Sequence, residues 1–171
     1  LGRMELSLHI TGIFNVYNVM SAVGAALAEH IAPEHIRAVL ESFTAVPGRF
    51  ELVKGGQDFA VIVDYAHTPD GVENVLKTAR EIAKRKIIAV FGCGGDRDRT
   101  KRPIMGRLAA ELADVVIATS DNPRSEDPNF TLSEVEAGVK EKIGSKHHAL
   151  IPDRHEAIFR AIELAETDDI V

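Results

Sequence analysis

Residues 87–99 read IIAVFGCGGDRDR, an unbroken apolar run followed by a loop that is rich in glycine and charge. The run at 87–91 predicts a strand buried on both faces, because a half-exposed strand would alternate apolar and polar residues. Similar runs stand at 115–118 and 149–151, and helical patterns separate the three runs. This order predicts an α/β fold with a mainly parallel sheet and helices on both of its faces.

Further elements extend this pattern towards both ends of the chain. A hairpin is expected at 49–54 and 59–64, around Gly55-Gly56. Weak alternation over 6–10 predicts another strand, and the final residues, 168–171, look like the beginning of one. Helices are expected at 15–28, 33–43, 70–84, 103–112, 132–143 and 153–165. Val46-Pro47-Gly48 interrupts the periodicity, which predicts a domain boundary between 1–46 and 47–171.

The composition excludes several classes of protein. The single cysteine, Cys93, cannot form an internal disulfide, and no apolar run approaches the roughly 20 residues of a membrane span. A net charge of -6 argues against a general nucleic-acid binder. We therefore expect a cytoplasmic protein without a membrane or nucleic-acid partner. The chain begins at Leu1 without a signal peptide, and we interpret it as a piece of a longer protein.

Polar loops follow three of the predicted strands, at the positions where open α/β sheets bind ligands. They are DYAHTPD from Asp64, GCGGDRDR from Gly92 and SDNPR from Ser120. The carboxyl ends of parallel strands lie along one edge of a sheet. We therefore expect the three loops to come together there.

The first loop has a functional and a structural interpretation. Asp64 ends an apolar strand at the ligand edge, where a carboxylate commonly meets a metal, a ribose or a phosphate-linked water. Tyr65 and His67 are also compatible with ordinary loop packing. Asp70 is interpreted as the N-cap of the following helix.

The second loop predicts an anion site, because glycine amides can approach an anion closely and the amino end of a helix attracts it. Positive charges stand beside the loop at Arg97, Arg99, Lys101 and Arg102. A tight strand-to-helix turn with solvated charges is the alternative. Cys93 is interpreted as a small filler, since no histidine and acid pair is fixed beside it in sequence.

The third loop, Asp121-Asn122-Pro123-Arg124, combines a rigid turn with an amide and a guanidinium fork that suits a carboxylate. This combination favours a site for the end of an amino acid. A plain turn with a surface salt bridge is the alternative. The pair His147-His148 lacks the ligand spacing of a metal site and is expected at a strand edge.

Five ordered motifs resemble the Mur ligase family, and within it the tripeptide synthetases of bacterial cell-wall synthesis. They are GIFNVYN from Gly12, PGRFE from Pro47, DYAHTPDG from Asp64, GCGGDRD from Gly92 with Lys101-Arg102-Pro103, and DNPR from Asp121. The resemblance covers essentially the whole chain. It implies that 1–46 is the tail of a central ATP-binding domain and that 47–171 is a Rossmann-like carboxy-terminal domain, truncated at its end.

The resemblance also implies roles for individual residues. Contacts on the ATP side would come from Asn15, Asn18, Arg49, Asp64, Tyr65, His67 and Lys101. The pocket for the incoming meso-diaminopimelate would be formed by Arg97, Asp121, Asn122 and Arg124. The resemblance implies neither a catalytic residue nor a metal ligand within this chain.

The family's reaction is ATP-driven amide formation. The glutamate carboxylate of a UDP-N-acetylmuramoyl dipeptide becomes an acyl phosphate, which the amine of meso-diaminopimelate then attacks, releasing phosphate and ADP. Magnesium ions neutralise the phosphates. This chain contains no G-x-x-x-x-G-K-[ST] phosphate loop. We therefore expect the rest of the same polypeptide to complete the site and the isolated chain to be inactive.

Three other functions stay open. A lysine-adding synthetase would share most of the domain, although the DNPR motif favours diaminopimelate. A dinucleotide-binding module would use Gly92 and Gly94, but Arg97 stands where the third glycine of that fingerprint is needed. A phosphatase with Asp64 as its nucleophile would need a second carboxylate where Ala66 stands.

Overall fold

The chain divides into two units, Leu1–Glu51 and Leu52–Val171, in a computed structural model that describes residues 3–10, 12–44 and 46–171. The first unit contains α1 (Ile13–Ala28) and α2 (Pro33–Ser42), which pack against each other. Both helices were predicted. Helix α2 begins at its proline because the first residue of a helix needs no amide donor.

The strand predicted over 6–10 is wrong. Residues 3–10 have neither helix nor strand structure, although their side chains alternate between exposed and half-buried. None of these residues forms a β-bridge with any described residue, and an extended segment becomes a strand only when its backbone groups bond to a neighbour. The alternation therefore follows solvent exposure and not sheet pairing.

A parallel sheet forms the centre of the second unit. Its strands are β3 (Ile88–Phe91), β4 (Val115–Thr119) and β5 (His147–Ile151), in the order β3-β4-β5. Both pairings are parallel. A separate pair consists of β1 (Glu51–Val53) and β2 (Val61–Val63), the two strands of the predicted hairpin.

The last residues of the chain lie between β2 and β3. Ile170 forms parallel bridges with both Ala60 and Ile87. The amide of Ile62 donates to the carbonyl oxygen of Val171 at 2.8 Å, so the pairing continues to the final residue. These contacts agree with the prediction of a strand that is just beginning, and they align β2 with the parallel strands.

Helices cover both faces of this sheet, as predicted. They are α3 (Pro69–Ile82), α4 (Lys101–Leu112), α5 (Pro128–Lys142) and α6 (Arg154–Leu164). Alternate residues of β4 face opposite sides: Val116 packs with Met105 and Val135, whereas Ile117 packs with Ala161 of α6. Strand β4 is therefore apolar on both sides, which explains its continuous hydrophobic sequence.

Two glycines let α4 and α5 approach closely. A Cβ at Gly106 would lie 2.2 Å from the carbonyl oxygen of Val135, and one at Gly138 would lie 1.8 Å from that of Pro103. Only glycine fits such distances. The close packing fixes the first turn of α4, which carries Lys101 and Arg102, against α5.

Candidate functional site

Three loops meet at the carboxyl edge of the sheet. We call them the aspartate loop (64–68, after β2), the glycine loop (92–100, after β3) and the DNPR loop (120–127, after β4). The Nζ of Lys101 donates to the carbonyl oxygen of His67 at 2.8 Å, which ties the start of α4 to the aspartate loop. The amide of Gly95 donates to the carbonyl oxygen of Asn122 at 3.1 Å, which joins the other two loops.

The aspartate loop is shaped by its own short-range hydrogen bonds. The carboxylate of Asp64 accepts from the amide of Ala66 at 2.7 Å, and the Nδ1 of His67 lies 3.0 Å from the carbonyl oxygen of Tyr65. The rings of Tyr65 and His67 meet edge to face with centroids 5.0 Å apart. Tyr65 is 64% exposed, so an aromatic surface faces solvent beside a half-buried carboxylate.

The interpretation of Asp70 as the N-cap of α3 is wrong. Thr68 is the cap, and its hydroxyl accepts from the amide of Gly71 at 3.2 Å. Pro69 takes the first helical position, which leaves Asp70 in the first turn, where its charge still suits the positive end of the helix dipole.

The glycine and DNPR loops are held together by reciprocal contacts. The Nη1 of Arg124 donates to the carbonyl oxygen of Gly95 at 3.0 Å. The carboxylate of Asp96 accepts from the hydroxyl of Ser125 at 2.7 Å and from its amide at 3.2 Å. The two loops therefore form one rigid surface.

Three residues of this surface adopt the left-handed conformation, although none is glycine. The φ angles are 51° at Asp96, 44° at Asn122 and 52° at Arg124. Such residues are held by their surroundings at an energetic cost of about 1–3 kcal/mol each, and they cluster at functional sites. The strain supports a functional role for these two loops.

The cations near the glycine loop have different environments, so the prediction of one shared anion site is wrong for two of them. Arg99 forms a bidentate pair with Glu134, with its Nε and Nη2 donating at 3.0 and 2.5 Å. Arg102 is completely buried and bonds to Glu126 and Glu134. Arg97, by contrast, is exposed and makes no hydrogen bond or ion pair with a described residue. It is therefore available to an anionic ligand.

Glu126 is a residue of this region that the sequence analysis missed. Its carboxylate accepts two hydrogen bonds from Arg102, at 2.7 and 2.9 Å, and one from the amide of Asp96 at 2.6 Å. The bonds from Arg102, followed by the bond from Asp96, lower the pKa of Glu126 to about 2. Contact with Glu126 raises the pKa of Arg102 above its already high value. Both groups are charged at neutral pH.

Arg154 is a second missed residue. At the start of α6, its Nη1 lies 3.1 Å from the carboxylate of Asp121 and donates to the carbonyl oxygen of Ser120 at 3.2 Å. Asp121 also accepts from the side-chain amide of Asn122 at 3.0 Å. The carboxylate predicted to hold an amino acid is therefore oriented by two neighbours.

Three predicted ATP contacts belong to the first unit. The side-chain amide of Asn18 donates to the side-chain oxygen of Asn15 at 3.4 Å on α1. Arg49 is exposed, in a turn where its amide donates to the carbonyl oxygen of Val46 at 3.0 Å. Their contribution to an ATP site stays a prediction.

Cys93 belongs to the glycine loop, and its buried side chain is a small filler, in agreement with the sequence analysis. Its Sγ is 3.7 Å from the Sδ of Met105. Burial raises the pKa of the thiol to about 11. A protonated, inaccessible thiol is a poor nucleophile.

The described residues include no group of three or more histidine, cysteine or acidic side chains placed to bind a metal. Within the same part of the chain, every helix is too short or too polar to cross a bilayer.

Known proteins resemble this chain along nearly all of its length. The family described as Mur ligase, glutamate ligase domain, matches residues 48–171. A UDP-N-acetylmuramoyl-L-alanyl-D-glutamate--2,6-diaminopimelate ligase from Syntrophomonas wolfei is 53% identical over 168 residues, which cover 98% of this chain and 34% of that protein. The ligase of the same name from Geobacillus kaustophilus is 53% identical over 170 residues, 99% of this chain and 34% of that protein. This chain thus spans about a third of the length of these relatives.

A solved structure agrees with these similarities. A UDP-N-acetylmuramoyl-L-alanyl-D-glutamate--2,6-diaminopimelate ligase superposes with a TM-score of 0.69 and 38% identity, over 99% of this chain and 34% of the solved one.

Proposed function

The chain belongs to the Mur ligase family, and from this premise we propose that it is part of the ATP-dependent ligase that adds meso-diaminopimelate to UDP-N-acetylmuramoyl-L-alanyl-D-glutamate. The observation that carries the proposal is the 53% identity to a diaminopimelate ligase over 98% of the chain. The site geometry adds support, because an exposed Arg97 stands on the same rigid surface as Arg124. Two guanidinium groups suit an amino acid that carries two carboxylates.

The proposed reaction has two steps. An oxygen of the glutamate carboxylate attacks the γ-phosphorus of ATP, the bond to the bridging oxygen breaks, and ADP leaves. The amine of diaminopimelate then attacks the acyl carbon, the bond to the phosphate oxygen breaks, and the nitrogen loses a proton. Such chemistry depends mainly on positioning and on charge stabilisation, which is what fixed cations supply.

We propose that different loops bind different substrates. Lys101 and the aspartate loop with Asp64 would face the nucleotide, and the joined glycine and DNPR loops would face the amino acid. We also propose that 1–46 is the tail of the central ATP-binding domain and contributes Asn15 and Asn18 to the nucleotide site. Arg49, at the start of the following domain, is proposed as a further ATP contact. The cytoplasm is the proposed compartment.

We propose that a magnesium ion binds together with ATP and is held mainly by the phosphates and by residues elsewhere in the polypeptide. Proteins usually bind this ion through one or two carboxylates together with substrate phosphates, so it needs no dedicated cage. In this chain Asp64 is proposed as a contact on the ATP side, and the protein ligands of the ion are proposed to lie elsewhere in the polypeptide.

The test is the reaction of the full-length protein that contains this chain. It is incubated with UDP-N-acetylmuramoyl-L-alanyl-D-glutamate, ATP and either meso-diaminopimelate or lysine, and the products are identified by mass spectrometry. We expect the diaminopimelate amide together with equal amounts of ADP and phosphate, and no product without ATP. Amide formation with lysine alone, or none with either amino acid, would contradict the proposal.

A further inference from the structure

We infer that Arg102 is a positioning residue for amino-acid binding, which acts through Glu126 to fix the surface that carries Arg97 and Arg124. The inference rests on the proposed function. Arg102 is completely buried and therefore cannot touch a substrate itself.

Arg102 uses its guanidinium fork to hold three groups at once. Its Nη1 and Nη2 donate to the two oxygens of Glu126 at 2.7 and 2.9 Å. Nη1 also donates to Glu134 at 2.6 Å, and Nη2 donates to the carbonyl oxygen of Gly94 at 3.1 Å. The side chain thus connects α4 with α5, with the glycine loop and with the DNPR loop.

Glu126 connects Arg102 to the surface formed by the glycine and DNPR loops. One of its oxygens accepts from the amide of Asp96 at 2.6 Å, and so it stabilises a residue in the left-handed conformation. The carboxylate of Asp96 in turn holds Ser125, the neighbour of Arg124. Arg97 follows Asp96 directly in the chain. Both exposed cations are therefore one residue away from a group that this network holds.

The network is costly if stability is its only role. Removing charges from water is unfavourable, and apolar replacements of buried ion pairs are often neutral or stabilising. The Nε of Arg102 has no hydrogen-bond partner among the described residues, which adds a desolvation penalty. A fixed geometry for the two loops is the gain that would offset these costs.

Adjacent residues of α4 contact different loops, so the inference predicts an effect on the binding of one substrate and not of the other. Lys101 reaches the aspartate loop, on the nucleotide side, through the carbonyl oxygen of His67. Arg102 reaches the DNPR loop, on the amino-acid side, through Glu126. A change at Arg102 or Glu126 is therefore expected to act on the amino acid and to spare ATP.

The experiment compares Arg102→Lys and Glu126→Gln in the full-length protein. Lysine keeps the charge but loses the fork, and glutamine keeps the shape but loses the charge. The matched control is Arg107→Lys, since Arg107 pairs with Glu141 at 3.6 Å between the same two helices but lies on the surface. The Michaelis constants for diaminopimelate and ATP are measured, together with amide hydrogen exchange at Asp96 and Ser125.

Both test variants should raise the KM for diaminopimelate about tenfold, because a small misplacement of binding groups has large effects. The KM for ATP should stay within about twofold, and the control should change neither constant. The backbone amides of Asp96 and Ser125 should exchange hydrogen faster in the variants whose KM for diaminopimelate rises. If either variant folds and leaves the KM for diaminopimelate unchanged, or raises both constants equally, the inference is overturned.

The proposed function can fail separately. If the wild-type protein forms no amide with diaminopimelate, the exchange measurement still tests the network, because it needs no substrate. Unchanged exchange at Asp96 and Ser125 in Glu126→Gln would then overturn the inference on its own, and faster exchange would support the positioning role for whichever ligand binds this surface.

Discussion

Gly95 lies so close to Pro123 that a Cβ on the glycine would stand 1.9 Å from the carbonyl oxygen of the proline. The obstacle is backbone and cannot rotate away as a flexible side chain could. This contact, together with the hydrogen bond from Arg124 to Gly95, sets the spacing of the glycine and DNPR loops.

We expect Gly95→Ala to displace the DNPR loop. Overpacking of this kind should lower the free energy of unfolding by about 1–3 kcal/mol, and the KM for diaminopimelate should rise in the full-length protein. Gly94→Ala is the control, because a Cβ there would meet nothing closer than 3.8 Å. Neither glycine has a positive φ, so backbone strain does not separate the variants. Equal melting temperatures and equal KM values would contradict the prediction.

Lys101→Ala should weaken the ATP side of the reaction and leave the amino-acid side nearly intact. The ammonium group is held at the aspartate loop by the carbonyl oxygen of His67. Loss of a charged hydrogen-bond donor should raise the KM for ATP by about tenfold or more. Arg49→Ala, in the first unit, is expected to act in the same direction.

The control for Lys101→Ala is Lys77→Ala on α3, where an exposed lysine has Glu73 as its one charged partner among the described residues. It should leave both Michaelis constants unchanged. If Lys101→Ala kept a normal KM for ATP while losing diaminopimelate binding, the assignment of loops to substrates would be reversed.

Local patterns were sufficient to predict most of the fold. The apolar runs ending at Phe91 and Ala118 predicted buried parallel strands, because each run is too short for a helix and has no polar alternation. The cap of α3 was assigned wrongly, although Thr68 before Pro69 is itself a recognised start signal for a helix.

Contacts that are distant in sequence could not be predicted. The four cations near the glycine loop look alike in the sequence, but Arg102 is neutralised by Glu126 and Glu134, which lie 24 and 32 residues away. Similarly, Ile170 bridges Ala60 and Ile87, which no local pattern reveals. The composition shows which charges exist, and only the fold shows which of them are already paired.

The protein should lose stability in acid through Glu126. Its pKa is lowered from 4.5 to about 2, first by hydrogen bonds from Arg102. A carboxylate whose pKa is lowered on folding stabilises the protein above the unfolded value, and this contribution is lost as the pH falls towards the folded value. We expect the urea midpoint to decrease between about pH 4.5 and about 2.

The decrease over this range should be smaller in Glu126→Gln, which cannot titrate there. Glu163→Gln is the control, since Glu163 forms an exposed pair with Arg160 and no other ion pair within the described part of the chain. This variant should keep the wild-type pH dependence. Identical profiles for the wild type and Glu126→Gln would show that Glu126 does not contribute to acid lability.

Arg124 should decide between diaminopimelate and lysine, which differ by one carboxylate. Its Nη1 bonds to Gly95, and this is the side chain's one hydrogen bond to the described residues, so Nη2 and Nε are left for a ligand. We expect Arg124→Ala to lower kcat/KM for diaminopimelate by about 10- to 150-fold, which is the effect of losing a charge-assisted hydrogen bond. The kcat/KM for lysine should change little. Arg124→Lys should restore it only partly, because the planar fork is lost. Both specificity constants are measured in the full-length protein, with Arg107→Ala as a surface control. An equal loss for both amino acids would mean that Arg124 does not bind the distal carboxylate.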